Sequence, residues 1–353
     1  MKKRNKLFCA ALAALMLLTA CSGRAGSAPQ KEAGEIVLYG EAHGVEAILE
    51  KELELWKDCY HTKGMRHLFV ELPYFTAAYL NLWMEQEDDA ILTAVYGDWI
   101  GTSVHVPAVR DFYAAIKEQC PETVFHGTDV GHQYDTTGKR FLHHLEKNGQ
   151  ADTEPYRLTL EAIQQGKTYY QKQDDAYREN AMVENFIREY DALEGESVMG
   201  IYGAAHTTLE GAAWGTEDTP TMASQLQGIY GEALRTEDIS WIAKEDIQPL
   251  RVDTLTVGGK TYQASYFGEE SISDWSIYLS RAFWRLEDAY GDFQDAPEAG
   301  DVLPYDNYPM LLETGQVFVV DYTRRDGAVE RFYYRSDGTQ WQGRPTTVAF
   351  VVE

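Results

Sequence analysis

Residues 38–44 read LYGEAHG and residues 200–206 read GIYGAAH: two apolar runs, each ending in a glycine, two further residues and a histidine. Both runs are short and lack polar alternation, the pattern of strands buried on both faces. The segments between them repeat the theme. Strands are expected at 36–39, 67–72, 123–127 and 196–203, with a fifth at 238–243. Helices are expected at 45–60, 74–87, 106–119 and 220–227, with one long helix over 154–193. In the first helix Val45, Ile48, Leu49, Leu53 and Trp56 recur at steps of three and four. Strands alternating with helices of this length build parallel βαβ units. The fold class read here is α/β, with a central, largely parallel sheet flanked by helices on both faces and a smaller C-terminal β-rich appendage.

In such sheets ligands bind beyond the carboxyl ends of the strands. Gly40-Glu41-Ala42-His43, Glu71, Thr128-Asp129 and Gly203-Ala204-Ala205-His206 all fall at strand ends, so they should meet on one edge. Carboxylates beside histidines bind a divalent metal or activate water as general bases. One Gly-x-x-His unit alone reads equally well as a packed histidine, but two at equivalent strand ends, with Glu41 and Glu71 close by, point to a site. On the long helix Arg178, Met182 and Asn185 share a face, and Arg178 would place a fixed cation beside the carboxylates if that face closes over the sheet edge. The rest of the charged run at 174–185 reads as a solvated face, and His61, His143 and His144 as surface. Other signatures are missing: Gly195-Glu196-Ser197-Val198-Met199 lacks the closing glycine of a nucleophile elbow, and there is no HExxH helix or P-loop.

The ends bound the context. Lys2, Lys3, Arg4 and Lys6 precede an apolar stretch at 7–18 that is too short to span a membrane. Leu18-Thr19-Ala20-Cys21 resembles a lipoprotein cleavage box, with Cys21 as the lipid-bearing residue. The expected organisation is a signal peptide at 1–20, a flexible tether at 21–34, an α/β domain at 35–249 and a β-rich extension at 250–353. Hairpins turn at Gly258-Gly259 and Asp326-Gly327, and the aromatic-rich stretch 272–286 reads as a helix between them. The formal charge is −25, more negative still once the basic leader is gone. That surface excludes nucleic-acid binding and favours neutral or cationic ligands. Cys59 and Cys120, left after Cys9 and Cys21, either pair or stay as buried thiols; two cysteines make no disulfide framework.

In order, Gly40-Glu41-Ala42-His43-Gly44, Glu71, the Phe125-x-Gly127-x-Asp129 strand, Arg178-x-x-x-Met182-x-x-Asn185 and Gly203-Ala204-Ala205-His206 resemble the erythromycin-esterase/ChaN-like superfamily, which includes the Tiki and TraB-type proteins. The resemblance covers roughly residues 34–245. The helix and strand motifs lean to the esterase branch, and the chain departs from it at Ala204-Ala205, where a His-Asn pair is typical. The resemblance implies hydrolysis at a His/Glu cleft: without a metal in the esterase branch, with one in the Tiki branch, whereas ChaN-like lipoproteins bind haem. The expectation is therefore a membrane-anchored, extracytoplasmic hydrolase of ester or peptide bonds acting on a small molecule or peptide. Its site would be Glu41, His43, Glu71, His206, Asp129 and Arg178, with His43 as general base, Glu41 and Glu71 orienting water or holding a metal, and His206 as acid or second ligand. The alternative is a haem- or metal-binding lipoprotein without turnover. Both histidines should lie at an exposed edge, so replacing either should cost only about 1 kcal/mol of stability.

Overall fold

A computed structural model describes residues 34–341 and 344–352. The leader, the box at Cys21 and all of the tether but Gly34 lie outside the described residues. Five strands form one wholly parallel sheet: β1 (Ile36–Glu41), β2 (His67–Pro73), β3 (Val124–Asp129), β4 (Val198–Gly203) and β5 (Leu234–Asp238), in the order β3-β2-β4-β1-β5. Helices α1 (Glu46–His61), α2 (Tyr74–Met84), α3 (Ala90–Asp98) and α4 (Pro107–Gln119) occupy the β1–β2 and β2–β3 connections. After β3 come α5 (Lys139–Lys147), α6 (Glu154–Lys172) and α7 (Asp175–Asp191). The short α8 (Ala204–Thr207) and α9 (Met222–Tyr230) follow β4, and α10 (Ile242–Glu245) follows β5.

The absence of alternation in the strand sequences has a direct cause. Val37, Tyr39, Leu68, Val70 and Ile201 pack into one core with Ile48 and Trp56 of α1, Trp83 and Phe112. Their neighbours Ile36, Leu38, Phe69 and Tyr202 face the opposite core, against Met182 and Phe186 of α7 and Met222 of α9. Apart from Val124 and the edge strand β5, every residue of these strands is buried or half-buried, so no polar face appears.

Two local readings need correction. The fifth strand lies earlier than the expected 238–243: it ends at Asp238 and α10 begins four residues later. The expected single helix over 154–193 is two, broken where Gln173 adopts φ +53° and Asp174 caps α7 by accepting from the Tyr177 N–H at 3.0 Å.

The strands beyond residue 250 build a separate antiparallel sheet of eight. Both expected hairpins are there: β6 (Arg251–Val257) pairs with β7 (Lys260–Ser271), and β10 (Gln316–Arg324) with β11 (Val329–Ser336). Gly258 and Gly259 both have positive φ, which a two-residue turn matching the strand twist requires. The aromatic stretch at 272–286 is not a helix; Tyr278–Leu286 is strand β8, between β7 and β10. Phe283 packs on one face of this sheet and Trp284 on the other, so an interior strand shows no period of two. The two sheets meet where Lys244 reaches the Tyr305 carbonyl at 3.1 Å and Arg344 pairs with Asp238 at 3.3 Å. Cys59 and Cys120 are buried and unpaired. Among the described residues no helix is long and apolar enough to cross a membrane.

Candidate active site

Strand order places the site. Because β4 inserts between β1 and β2, Gly203 stands opposite Glu41 on one side and reaches Glu71 on the other, where its N–H donates to Glu71 Oε2 at 2.6 Å. The β2–β3 register slips between Val70 and Pro73, a bulge that re-aims Glu71 over the sheet edge. A side chain at Gly203 would press on both Glu71 and His43, its Cβ 3.3 Å from Glu71 Oε2 and 3.4 Å from the His43 ring.

Glu71 is the hub. Its Oε1 accepts from Arg178 Nη2 at 2.6 Å and lies 3.7 Å from His43 Nε2 and 3.5 Å from His206 Nε2. Arg178 also forks onto Asp129, Nε to Oδ1 at 3.0 Å and Nη2 to Oδ2 at 2.7 Å, the bidentate geometry that makes arginine–carboxylate pairs strong. The helix face expected to close on the sheet does so: Met182 is buried and Asn185 donates to the Thr128 carbonyl at 2.9 Å. His43 Nδ1 is hydrogen-bonded to Glu41 Oε1. His206 Nδ1 is held by Glu179 Oε2 at 2.6 Å, and Glu179 Oε1 accepts the Met222 N–H.

Five of the six expected residues, Glu41, His43, Glu71, Asp129 and Arg178, line a cleft of about 340 Å³. His206 does not line it; buried in α8, it reaches the cleft only through Glu71. Three residues escaped the sequence reading. Glu179 belongs to the charged run that reads as a solvated face but is 2% exposed. It begins the apolar stripe Val183, Phe186, Tyr190, which was the available signal. Glu52 interrupts the stripe Ile48, Trp56, Cys59 in the same way and is 1% exposed. His132 follows Asp129 by three residues, as His43 follows Gly40 and His206 follows Gly203. Its Nε2 lies 2.9 Å from Asp129 Oδ2 and its Nδ1 2.5 Å from the Tyr170 hydroxyl.

The electrostatics follow from these contacts. Burial opposes a charge on His43, yet hydrogen bonds to Glu41 and Glu71 and the charge of both carboxylates raise its pKa to about 11. Burial likewise opposes a charge on His206, and Glu71 and Glu179 raise it to about 10. Both values lie above neutrality, so both rings are charged at pH 7. Burial works against ionised Glu71 and Asp129 too, but the His206 and His43 charges hold Glu71 well below the usual range, and Arg178 with His132 does the same for Asp129.

A divalent ion does not fit this donor set. Arg178 already supplies the cation at Glu71 and Asp129. Every oxygen of Glu71, Asp129 and Glu179 is engaged by the chain itself. Among the described residues, no group of three or more His, Cys, Asp or Glu side chains is arranged to hold a metal.

No family model and no curated protein matches the sequence. Among solved structures the chain is similar to a protein from Bacillus cereus (13% identity, TM-score 0.42), over 59% of this chain and 66% of that one. It is also similar to a mutant of the erythromycin esterase EreC in its open conformation (13%, 0.43), over 60% of this chain and 71% of that one. A third likeness is to a succinoglycan biosynthesis protein (11%, 0.43), over 65% of this chain and 70% of that one. The chain thus spans just under two thirds of the length of the first of these.

Proposed function

We propose that the cleft hydrolyses an ester or amide bond with water activated by Glu41. One observation carries this reading. In a cluster where both oxygens of Glu71, Asp129 and Glu179 are taken, Glu41 Oε2 is buried at the cleft with no hydrogen-bond partner. A buried carboxylate oxygen without a donor is costly unless something brings one. A water molecule bound there is oriented by its O–H toward Oε2 and gives up that proton as its oxygen attacks the carbonyl carbon.

This moves the base role expected for His43 onto its partner. Held between Glu41 and Glu71, the ring is an imidazolium at neutral pH, suited to stabilising the oxyanion that forms rather than to taking a proton. Arg178 fixes Glu71 and Asp129 so that the imidazolium keeps its place, and His206 with Glu179 braces Glu71 from inside. Leu49, Val70, Phe112 and Ile201 give the cleft apolar walls, and its volume admits a small acyl or peptidyl group.

The test is a panel of alkyl esters, p-nitrophenyl esters and short peptides, run on wild type, Glu41→Gln and His143→Ala. Glu41→Gln should lose about 10²–10⁴-fold in kcat across every substrate cleaved, while His143→Ala, an exposed residue of α5, keeps the wild-type rate. Turnover that survives in Glu41→Gln refutes the reading.

A further inference from the structure

Glu52 is a fourth carboxyl in this cleft, and no step above uses it. It sits on α1 where the buried stripe calls for an apolar residue. It is 1% exposed, its Oε1 is buried without a partner, and its side chain lines the cleft with Leu49, Val109, Phe112 and Tyr113. Burial and then the neighbouring Glu41 charge raise its pKa well above the ordinary carboxyl range, against the pull of His43. One carboxyl is thus kept neutral by an apolar wall while its neighbour is paired with a cation. Two carboxyls set in such different surroundings divide the labour of acid and base.

We infer that Glu52 is the proton donor of the cleft, handing its O–H proton to the leaving oxygen or nitrogen as the bond to the acyl carbon breaks. The balance closes within the pair. Glu41 takes a proton from water as the new C–O bond forms, Glu52 gives one to the leaving group, and the proton on Glu41 then passes to the Glu52 carboxylate. His43 is the weaker candidate for this step, since both of its nitrogens face carboxylates, at Glu41 and at Glu71, and its proton is tightly held. The inference rests on the hydrolase reading of the same cleft.

A donor to the leaving group matters most when that group is a poor one. Glu52→Gln preserves shape and removes the acid. It should lose about 10²–10⁴-fold in kcat on ethyl butyrate, and less than about tenfold on p-nitrophenyl butyrate, whose leaving group needs little protonation. A residue that merely supports the fold would slow both esters alike, so equal losses, or no loss on either, overturn the inference. An independent readout needs no turnover. Infrared difference spectra at pH 7 should show the C=O stretch of a protonated carboxyl in wild type and not in Glu52→Gln. If wild type lacks that band, the donor role fails while the hydrolase reading stands; if wild type cleaves no ester or peptide, both fail together.

Discussion

Gly40–His43 and Gly203–His206 are the same four-residue unit at the ends of two adjacent strands, yet they do different work. After Glu41 the chain leaves β1 into a loop, with Gly44 at φ +74°, and His43 stays about one-third exposed on the cleft. After Gly203 it turns at once into α8, and His206 ends 9% exposed between Glu71 and Glu179. A shared motif at a strand end fixes where a histidine starts, whereas the following backbone decides whether it faces substrate or braces a carboxylate. Glu71 joins the two outcomes, since among the described residues it is the carboxylate that both rings approach.

The contrast breaks most visibly in stability. His206→Ala leaves Glu179 in the interior without its cation, while Glu71 keeps Arg178, and removing one partner of a buried ion pair costs about 3–5 kcal/mol. His43→Ala opens onto solvent and should cost about 1 kcal/mol. This corrects the sequence expectation that both substitutions would be mild: α8 buries the second histidine, and nothing in Gly203-Ala204-Ala205-His206 announces a helix. Denaturant unfolding of the two variants decides it, and equal losses would mean that the rings are equivalent after all.

A second difference lies in pH. His206 has a folded pKa of about 10 against an ordinary 6.5, so its contribution is complete below pH 6.5, declines as pH rises and is gone above about 10. The decline is about 1.4 kcal/mol per pH unit for one such group. Asp129 and Glu71 act in the opposite sense: with pKa values depressed in the fold, their contribution is present above about pH 4 and is lost below it. His43 and Glu52 also titrate, but they are common to wild type and His206→Gln. The difference in stability between those two proteins should therefore shrink steadily from pH 6.5 to 10. A difference that stays constant over that range would show that His206 is neutral in the fold.

Much of this was legible because the sheet is simple. Apolar runs stopped by Gly40, Pro73, Asp129 and Gly203 marked four of the five strands, and the strand-end rule put Glu41, Glu71 and Asp129 on one edge. The spacing of Arg178, Met182 and Asn185 marked the helix face that closes on it. Glu52 and Glu179 were missed because a carboxylate in a charged helix reads as solvated, although each occupies a step of an apolar stripe. Strand β8 was missed because Phe283 and Trp284 are buried on opposite faces, which erases the alternation that would have revealed it.

The smallest effect separates the two glycines. A Cβ at Gly40 would run into the Thr207 hydroxyl and stand 3.0 Å from the Ala204 Cα, so the backbone of α8 must shift to admit it. Gly40→Ala should cost about 1–3 kcal/mol, as overpacking of an interior does. At Gly203 the backbone is extended, with φ −52° and ψ 137°, a conformation open to any residue. The atoms nearest the added methyl are side-chain atoms, of Glu71 at 3.3 Å and His43 at 3.4 Å, which give by a few tenths of an ångström. Gly203→Ala should therefore stay within about 1 kcal/mol of wild type in stability while crowding the imidazolium and slowing turnover. In the first unit the glycine makes room for a neighbouring helix; in the second it makes room for the chemistry. Melting curves and kcat measured on both variants test this, and the assignment of the two roles is overturned if Gly203→Ala unfolds more readily than Gly40→Ala or turns over at the wild-type rate.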